Sequence, residues 1–229
     1  MSRLWIAFTP FIFAALVHVW ALAVGAHDAA SPTKLMLMPF LALAVVWAGH
    51  RHWTSAHTIL VIAIGLSWLG DGAGPLFPGV DTVPMMLLFF ALAHLCYIWL
   101  FWRMLAVRRL PLWSAVYAVW YVGLLVVLWP HLGALLIPVA LYGIVLGATA
   151  MGAARCHPLI AWGGAFFLAA DSILAFRLFV PDALPAWSSP LIMALYCLGQ
   201  GLLAAGVLVT TRERQEAPAV ATPVVKAAV

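Results

Sequence analysis

The chain has 229 residues, of which 66% are hydrophobic and 8% charged, and its mean hydropathy is +1.10. That is more apolar surface than a soluble core of this length buries, so a soluble globular domain is excluded. The formal net charge of +4 then reads as a topology signal and not as a nucleic-acid signal, because Lys and Arg fall between apolar runs.

Hydropathy resolves eight spans, roughly 4–25, 33–49, 56–76, 83–102, 111–129, 132–151, 158–180 and 189–210, each near the ~20 residues a helix needs to cross a bilayer. The expected fold class is all-α: a polytopic membrane protein of eight transmembrane helices over 1–211, with a disordered cytoplasmic tail over 212–229. The apolar part of the first span exceeds the roughly 7–15 residues of a signal peptide and is read as a helix. Alternating loops place Arg3, Arg51, Arg103, Arg108, Arg109, Arg155, Arg212, Arg214 and Lys226 on one side and only Lys34 and Arg177 on the other. Both termini are therefore expected in the cytoplasm. The Ala- and Leu-rich composition suits a bacterium, hence an inner membrane.

Trp5, Trp47, Trp53, Trp102, Trp113, Trp129 and Trp187 lie near span ends and are expected to anchor in the headgroup zone. His27, His50, His52, His57, His131 and His157 fall in or beside short connections and are expected at the interface, and His18 is expected to make a helix contact. Pro39, Pro84, Pro138 and Pro158 are candidate kinks. Cys96, Cys156 and Cys197 show neither a CxxC nor a Cys/His ligand spacing and are read as packing residues.

Between Leu159 and Val180 the only ionisable side chains are Asp171 and Arg177. A carboxyl group within a membrane helix costs about 2.5–3.5 kcal/mol on insertion scales, which marks Asp171 as a functional candidate. The alternative is structural glue between helices. At ~1.5 Å per residue, Asp71 lies about 22 Å from the inner end of the third span, with Ser67 one turn earlier. His94 and Tyr97, spaced i,i+3, lie about 16–21 Å below the outer face; Asp171 stands about 18 Å above the inner one. Tyr196 and Gln200, spaced i,i+4, lie about 10–17 Å below the outer face. The polar groups thus share the middle and outer membrane. Asp71 could instead end its helix at the surface, since Gly72, Gly74 and Pro75 follow. Lys34 and Arg177 read either as snorkelling end residues or as cations that grip an anionic headgroup.

Several stretches together resemble the YhhN-like lysoplasmalogenase family. They are Lys34 with Pro39, Ser67-Trp68-Leu69-Gly70-Asp71, Ala93-His94-Leu95-Cys96-Tyr97, Gly164-Ala165-Phe166-Phe167 leading to Asp171-Ser172-Ile173-Leu174-Ala175, and Tyr196-Cys197-Leu198-Gly199-Gln200. The resemblance runs from Lys34 to about Gln200 and departs at Gly72-Ala73-Gly74-Pro75, where a more helical continuation is the family's pattern. It implies an ether hydrolase that cleaves the vinyl-ether bond of lysoplasmalogens to a fatty aldehyde and glycerophosphoethanolamine or glycerophosphocholine.

Such a bond breaks when a carbon is protonated and water captures the resulting oxocarbenium ion, so two carboxyl groups in different surroundings suit the task. Asp171, the deeper, is assigned the proton, and Asp71, nearer water and Lys34, the ionised role; the reverse assignment stays open. Lys34, Ser67, His94, Tyr97, Ser172, Arg177, Tyr196 and Gln200 are the candidate substrate-binding residues, with a lysophospholipid and the bilayer as partners. No cofactor and no metal is expected, since Asp71, His94, Asp171 and His18 offer one well-placed His where zinc sites use two or three. The competing reading is a small proton-coupled transporter, for which intramembrane acids are equally natural.

Overall fold

In a computed structural model that describes residues 2–216, every regular element is helical. The helices are α1 (Ser2–Ala23), α2 (His27–Gly49), α3 (Ser55–Asp71), the single turn α4 (Ala73–Leu76), α5 (Thr82–Trp99), α6 (Ala115–Leu132), α7 (Leu136–Ala153), α8 (Pro158–Phe179) and α9 (Ser188–Glu216). Each of the eight expected spans falls on one long helix. Six helical stretches are long and apolar enough to cross a membrane; one of these, Leu112–Ala153, contains both α6 and α7, and α3, at 17 residues, is shorter. The chain is an all-helical integral membrane protein. Residues 217–229, with Lys226 and most of the expected tail, lie outside the described residues, as do the side chains of Arg3 and His27.

Local chemistry sets the helix ends. Gly133, with φ +49, breaks the apolar run after α6. The chain then doubles back, so that the Tyr121 hydroxyl donates to Ala140 O at 3.0 Å. Pro158 opens α8, and Pro84 and Pro138 fall in the first turns of α5 and α7, where a proline removes no intrahelical bond. Of the four candidate kink prolines, only Pro39 lies inside a helix. His57 departs from its expected interfacial place: it is buried, accepts from Thr54 N at 3.0 Å through Nδ1, and reaches Thr211 Oγ1 at 3.2 Å through Nε2. It caps α3 and ties it to α9. Trp102, expected as an anchor, instead donates to Ala148 O at 2.9 Å, whereas the other six named tryptophans are exposed.

The bundle is built around α9. Of its membrane-crossing window 61% is buried, against 11% for the hairpin of α6 and α7. A β-carbon on Gly163 would stand 2.8 Å from Leu203 N, and one on Gly199 3.0 Å from Phe167 N, so α8 and α9 meet backbone to backbone. At its far end α9 runs to Glu216, past the expected boundary at 211. Arg214 there donates to Met104 O at 2.5 Å and Gln215 to His52 O at 3.3 Å. These bonds give the charged last turn a reason to stay helical.

Candidate active site

The last turn of α3 carries Ser67 and Asp71 on one face, and α9 presents Tyr196 and Gln200 at the same i,i+4 spacing. The two faces meet in register. Tyr196 Oη donates to Asp71 Oδ2 at 2.7 Å, and Gln200 Nε2 donates to Ser67 Oγ at 3.1 Å. From α5, Tyr97 Oη donates to Gln200 Oε1 at 2.6 Å, so that Gln200 is bonded at both ends of its amide. Lys34 on α2 places Nζ 3.3 Å from Asp71 Oδ1, with side-chain exposures of 34% for Lys34 and 3% for Asp71. Asp71 ends α3, as the Gly72-Ala73-Gly74-Pro75 run suggests, yet it is buried and not at the surface. A buried carboxylate is tolerated where a cation and hydrogen-bond donors meet it, and here Lys34 and Tyr196 do so.

A second network surrounds Asp171. Tyr142 Oη on α7 donates to Asp171 Oδ2 and stands 3.3 Å from His94 Nε2. On the other side of the imidazole, His94 Nδ1 is 3.1 Å from Thr149 Oγ1, which also lies 2.8 Å from Val145 O. Among the described residues no cation pairs with Asp171. The rings of Phe167 and Phe90 separate the two networks: Phe167 lies 4.8 Å from His94 and 5.4 Å from Tyr196, and Phe90 lies 6.0 Å from Tyr196.

Asp171 and Tyr142 are the only polar residues on a small cavity of about 40 Å³ between α5, α7 and α8. Its other walls are Val83, Met86, Leu87, Phe90, Val139, Leu174, Ala175, Leu178 and Phe179. The volume holds about one water. Most of these residues sit in the first turns of α5 and α7 or the last turns of α8, so the cavity lies toward that end of the bundle. A larger cavity of about 800 Å³ lies at the opposite end, between Trp47–His52, His57 and the last turns of α9, away from both acids.

Seven of the candidates therefore gather around Asp71 or behind Asp171: Lys34, Ser67, His94, Tyr97, Tyr196, Gln200 and Asp71 itself. Two are engaged elsewhere. Ser172 accepts from Trp120 Nε1 at 3.0 Å and donates to Leu168 O at 2.7 Å, which fastens α6 to α8. Arg177 donates to Ser188 Oγ at 2.9 Å and joins the end of α8 to the start of α9. His18 makes its expected helix contact through Nδ1, 2.9 Å from Thr33 Oγ1, while Nε2 is buried and has no partner among the described residues. Sequence reasoning missed Tyr142 and Thr149. Their seven-residue spacing puts them on one stripe of an otherwise apolar helix, and that signal was available.

The model of the YhhN family, the family of lysoplasmalogenases, matches residues 29–207. No curated protein and no solved structure matches the chain.

Proposed function

We propose that this chain, which belongs to the YhhN family, hydrolyses the vinyl-ether bond of lysoplasmalogens or of related lyso and ether lipids, releasing a fatty aldehyde and a glycerophospho-base. The observation that supports this best is the contrast between the two acids. Asp171 borders an apolar cavity with no cation beside it among the described residues, while Asp71 is held by Lys34 and Tyr196. The atom to be protonated is a carbon of the alkenyl chain, and an apolar wall brings that carbon to an acid once the cavity, now about one water in volume, widens to admit the chain. Asp171 gives its proton to the chain carbon one removed from the ether-bearing carbon, and an oxocarbenium ion forms. Water, oriented by Asp71 once the Phe90 and Phe167 rings between the two networks swing aside, adds to the ether-bearing carbon and passes a proton to that carboxylate. The hemiacetal then collapses: its hydroxyl proton returns to Asp171, Asp71 protonates the departing glycerol oxygen, and the aldehyde is freed.

In this reading all eight long helices cross the bilayer of a bacterial inner membrane with both termini in the cytoplasm, and the cavity faces the outer leaflet. Lys34, a third exposed, and Arg177, beside the cavity residues Leu174 and Leu178, are the cations available to a lipid phosphate. Tyr97, Gln200 and Ser67 keep α3, α5 and α9 in register so that Asp71 and Tyr196 stay in place.

The test is aldehyde release by the purified protein in detergent, from a lysoplasmalogen and from the matching 1-acyl lysolipid. Release from the vinyl ether alone is expected. Asp171→Asn should lower it at least about 100-fold, the lower range for a lost general acid. Release from neither lipid by folded protein, or near-normal turnover in Asp171→Asn, refutes the reading.

A further inference from the structure

We propose that Tyr142 and His94 are the positioning residues of Asp171: they bind one carboxyl oxygen and leave the other for the substrate. This rests on the reading of Asp171 as the proton donor to the vinyl ether, and it adds a residue, Tyr142, that lies outside the stretches carrying the family resemblance.

Tyr142 has a single hydroxyl proton, and it is directed at Asp171 Oδ2. Toward His94 the Tyr142 oxygen is therefore an acceptor, and His94 Nε2, 3.3 Å away, has to bring the hydrogen. A neutral imidazole with hydrogen on Nε2 has a bare Nδ1, and that atom lies 3.1 Å from the Thr149 hydroxyl, whose single proton then turns to Nδ1 in place of Val145 O, 2.8 Å away. Donors thus run in one direction, from Thr149 through His94 and Tyr142 to the carboxyl group. Each polarises the next.

The opposite direction is also consistent in protons: Asp171 would donate to Tyr142, Tyr142 to Nε2, and Nδ1 to Thr149. It would point the acid's proton away from the cavity. The first direction keeps the Asp171 proton free, because Oδ1 has no hydrogen-bond partner among the described residues and Asp171 is only partly buried on the cavity wall. Oδ1 is the oxygen that carries the reacting proton.

The consequence falls on the step in which charge develops. When the proton leaves for carbon, a carboxylate remains on an apolar wall with no cation beside it among the described residues. The aligned donors are then what stabilises it, and they act more strongly on the developing charge than on the resting acid. Loss of Tyr142 should therefore appear in kcat and hardly in KM.

The experiment compares Tyr142→Phe, His94→Leu and His94→Gln with the unaltered chain in detergent. It reads kcat and KM on a lysoplasmalogen and, without substrate, the infrared stretch of the Asp171 carboxyl group, assigned by its absence in Asp171→Asn. Tyr142→Phe is expected to lower kcat about 10- to 100-fold, the value of one hydrogen bond to a charged group, with KM within about twofold and the Asp171 band shifted. His94→Leu should shift the same band and lower kcat. His94→Gln, whose amide N–H can replace the imidazole Nε2 hydrogen, should recover part of both; a merely space-filling His94 would make Gln no better than Leu. An unshifted band with unchanged kcat in Tyr142→Phe overturns the proposal, and so does equality of the Gln and Leu variants. Should Tyr142→Phe fail to fold, the two His94 variants decide. If the unaltered chain releases no aldehyde, the hydrolase reading fails by itself, and the infrared shift alone still decides whether Tyr142 and His94 hold Asp171.

Discussion

Replacing Lys34 by Met removes the cation from a buried carboxylate, and the cost follows from the unequal burial of the pair. Asp71 is 3% exposed in its side chain and Lys34 34%, so the lost attraction is partly screened while the orphaned charge stays dry. Exposed pairs contribute about 0.2–1 kcal/mol, and breaking fully buried ones costs about 3–5 kcal/mol. The retained bond from Tyr196 keeps one Asp71 oxygen satisfied. An intermediate loss of about 2 kcal/mol is expected, or about 4–8 °C in apparent unfolding temperature for a chain of this size. The informative partner is Asp71→Asn, which removes the charge and leaves an amide that can still meet Tyr196. The double variant Lys34→Met, Asp71→Asn should be more stable than Lys34→Met alone by at least about half of that loss. Thermal unfolding of the four proteins in one detergent measures the cycle. Additive effects of the two substitutions would refute the view that Lys34 is there to neutralise Asp71.

The packing and the staples of the site give two further expectations. Gly163→Ala would set a β-carbon 2.8 Å from Leu203 N, so α8 and α9 must part, and thermal unfolding should register about 1–3 kcal/mol of destabilisation; a neutral result would show that the seam is not close-packed. Ser172→Ala frees the Trp120 indole and should lower stability by about 1 kcal/mol with KM unchanged within twofold. A raised KM at unchanged stability would return Ser172 to the substrate.

Much of the site was legible because two signals survive in a membrane sequence. One is the rarity of polar groups: Asp71, His94, Asp171 and Gln200 stand out in apolar runs, where they are costly enough to need a reason. The other is depth, since a rise of ~1.5 Å per residue places each group along the bilayer normal. Together they gather Lys34, Ser67, Tyr97, Tyr196 and Gln200 at the level where the structure joins them. They do not say which acid meets which tyrosine. Asp71 is paired with Tyr196 from the far end of the chain, and Asp171 with Tyr142, which only its stripe with Thr149 marks in the sequence.

What hydropathy and spacing determined by themselves is the all-helical character and the positions of the long helices along the chain. Tertiary structure decided the direction in which each side chain faces. Ser172 is adjacent to Asp171 in sequence, yet one residue is about 100° of helix rotation, and that turns its hydroxyl to Trp120 and away from the cavity. In water an apolar stripe would have revealed such facing, because a helix shows one side to solvent and the other to the core. Lipid tails are as apolar as leucine, so a membrane helix is apolar all round, and only its neighbours fix which face is which.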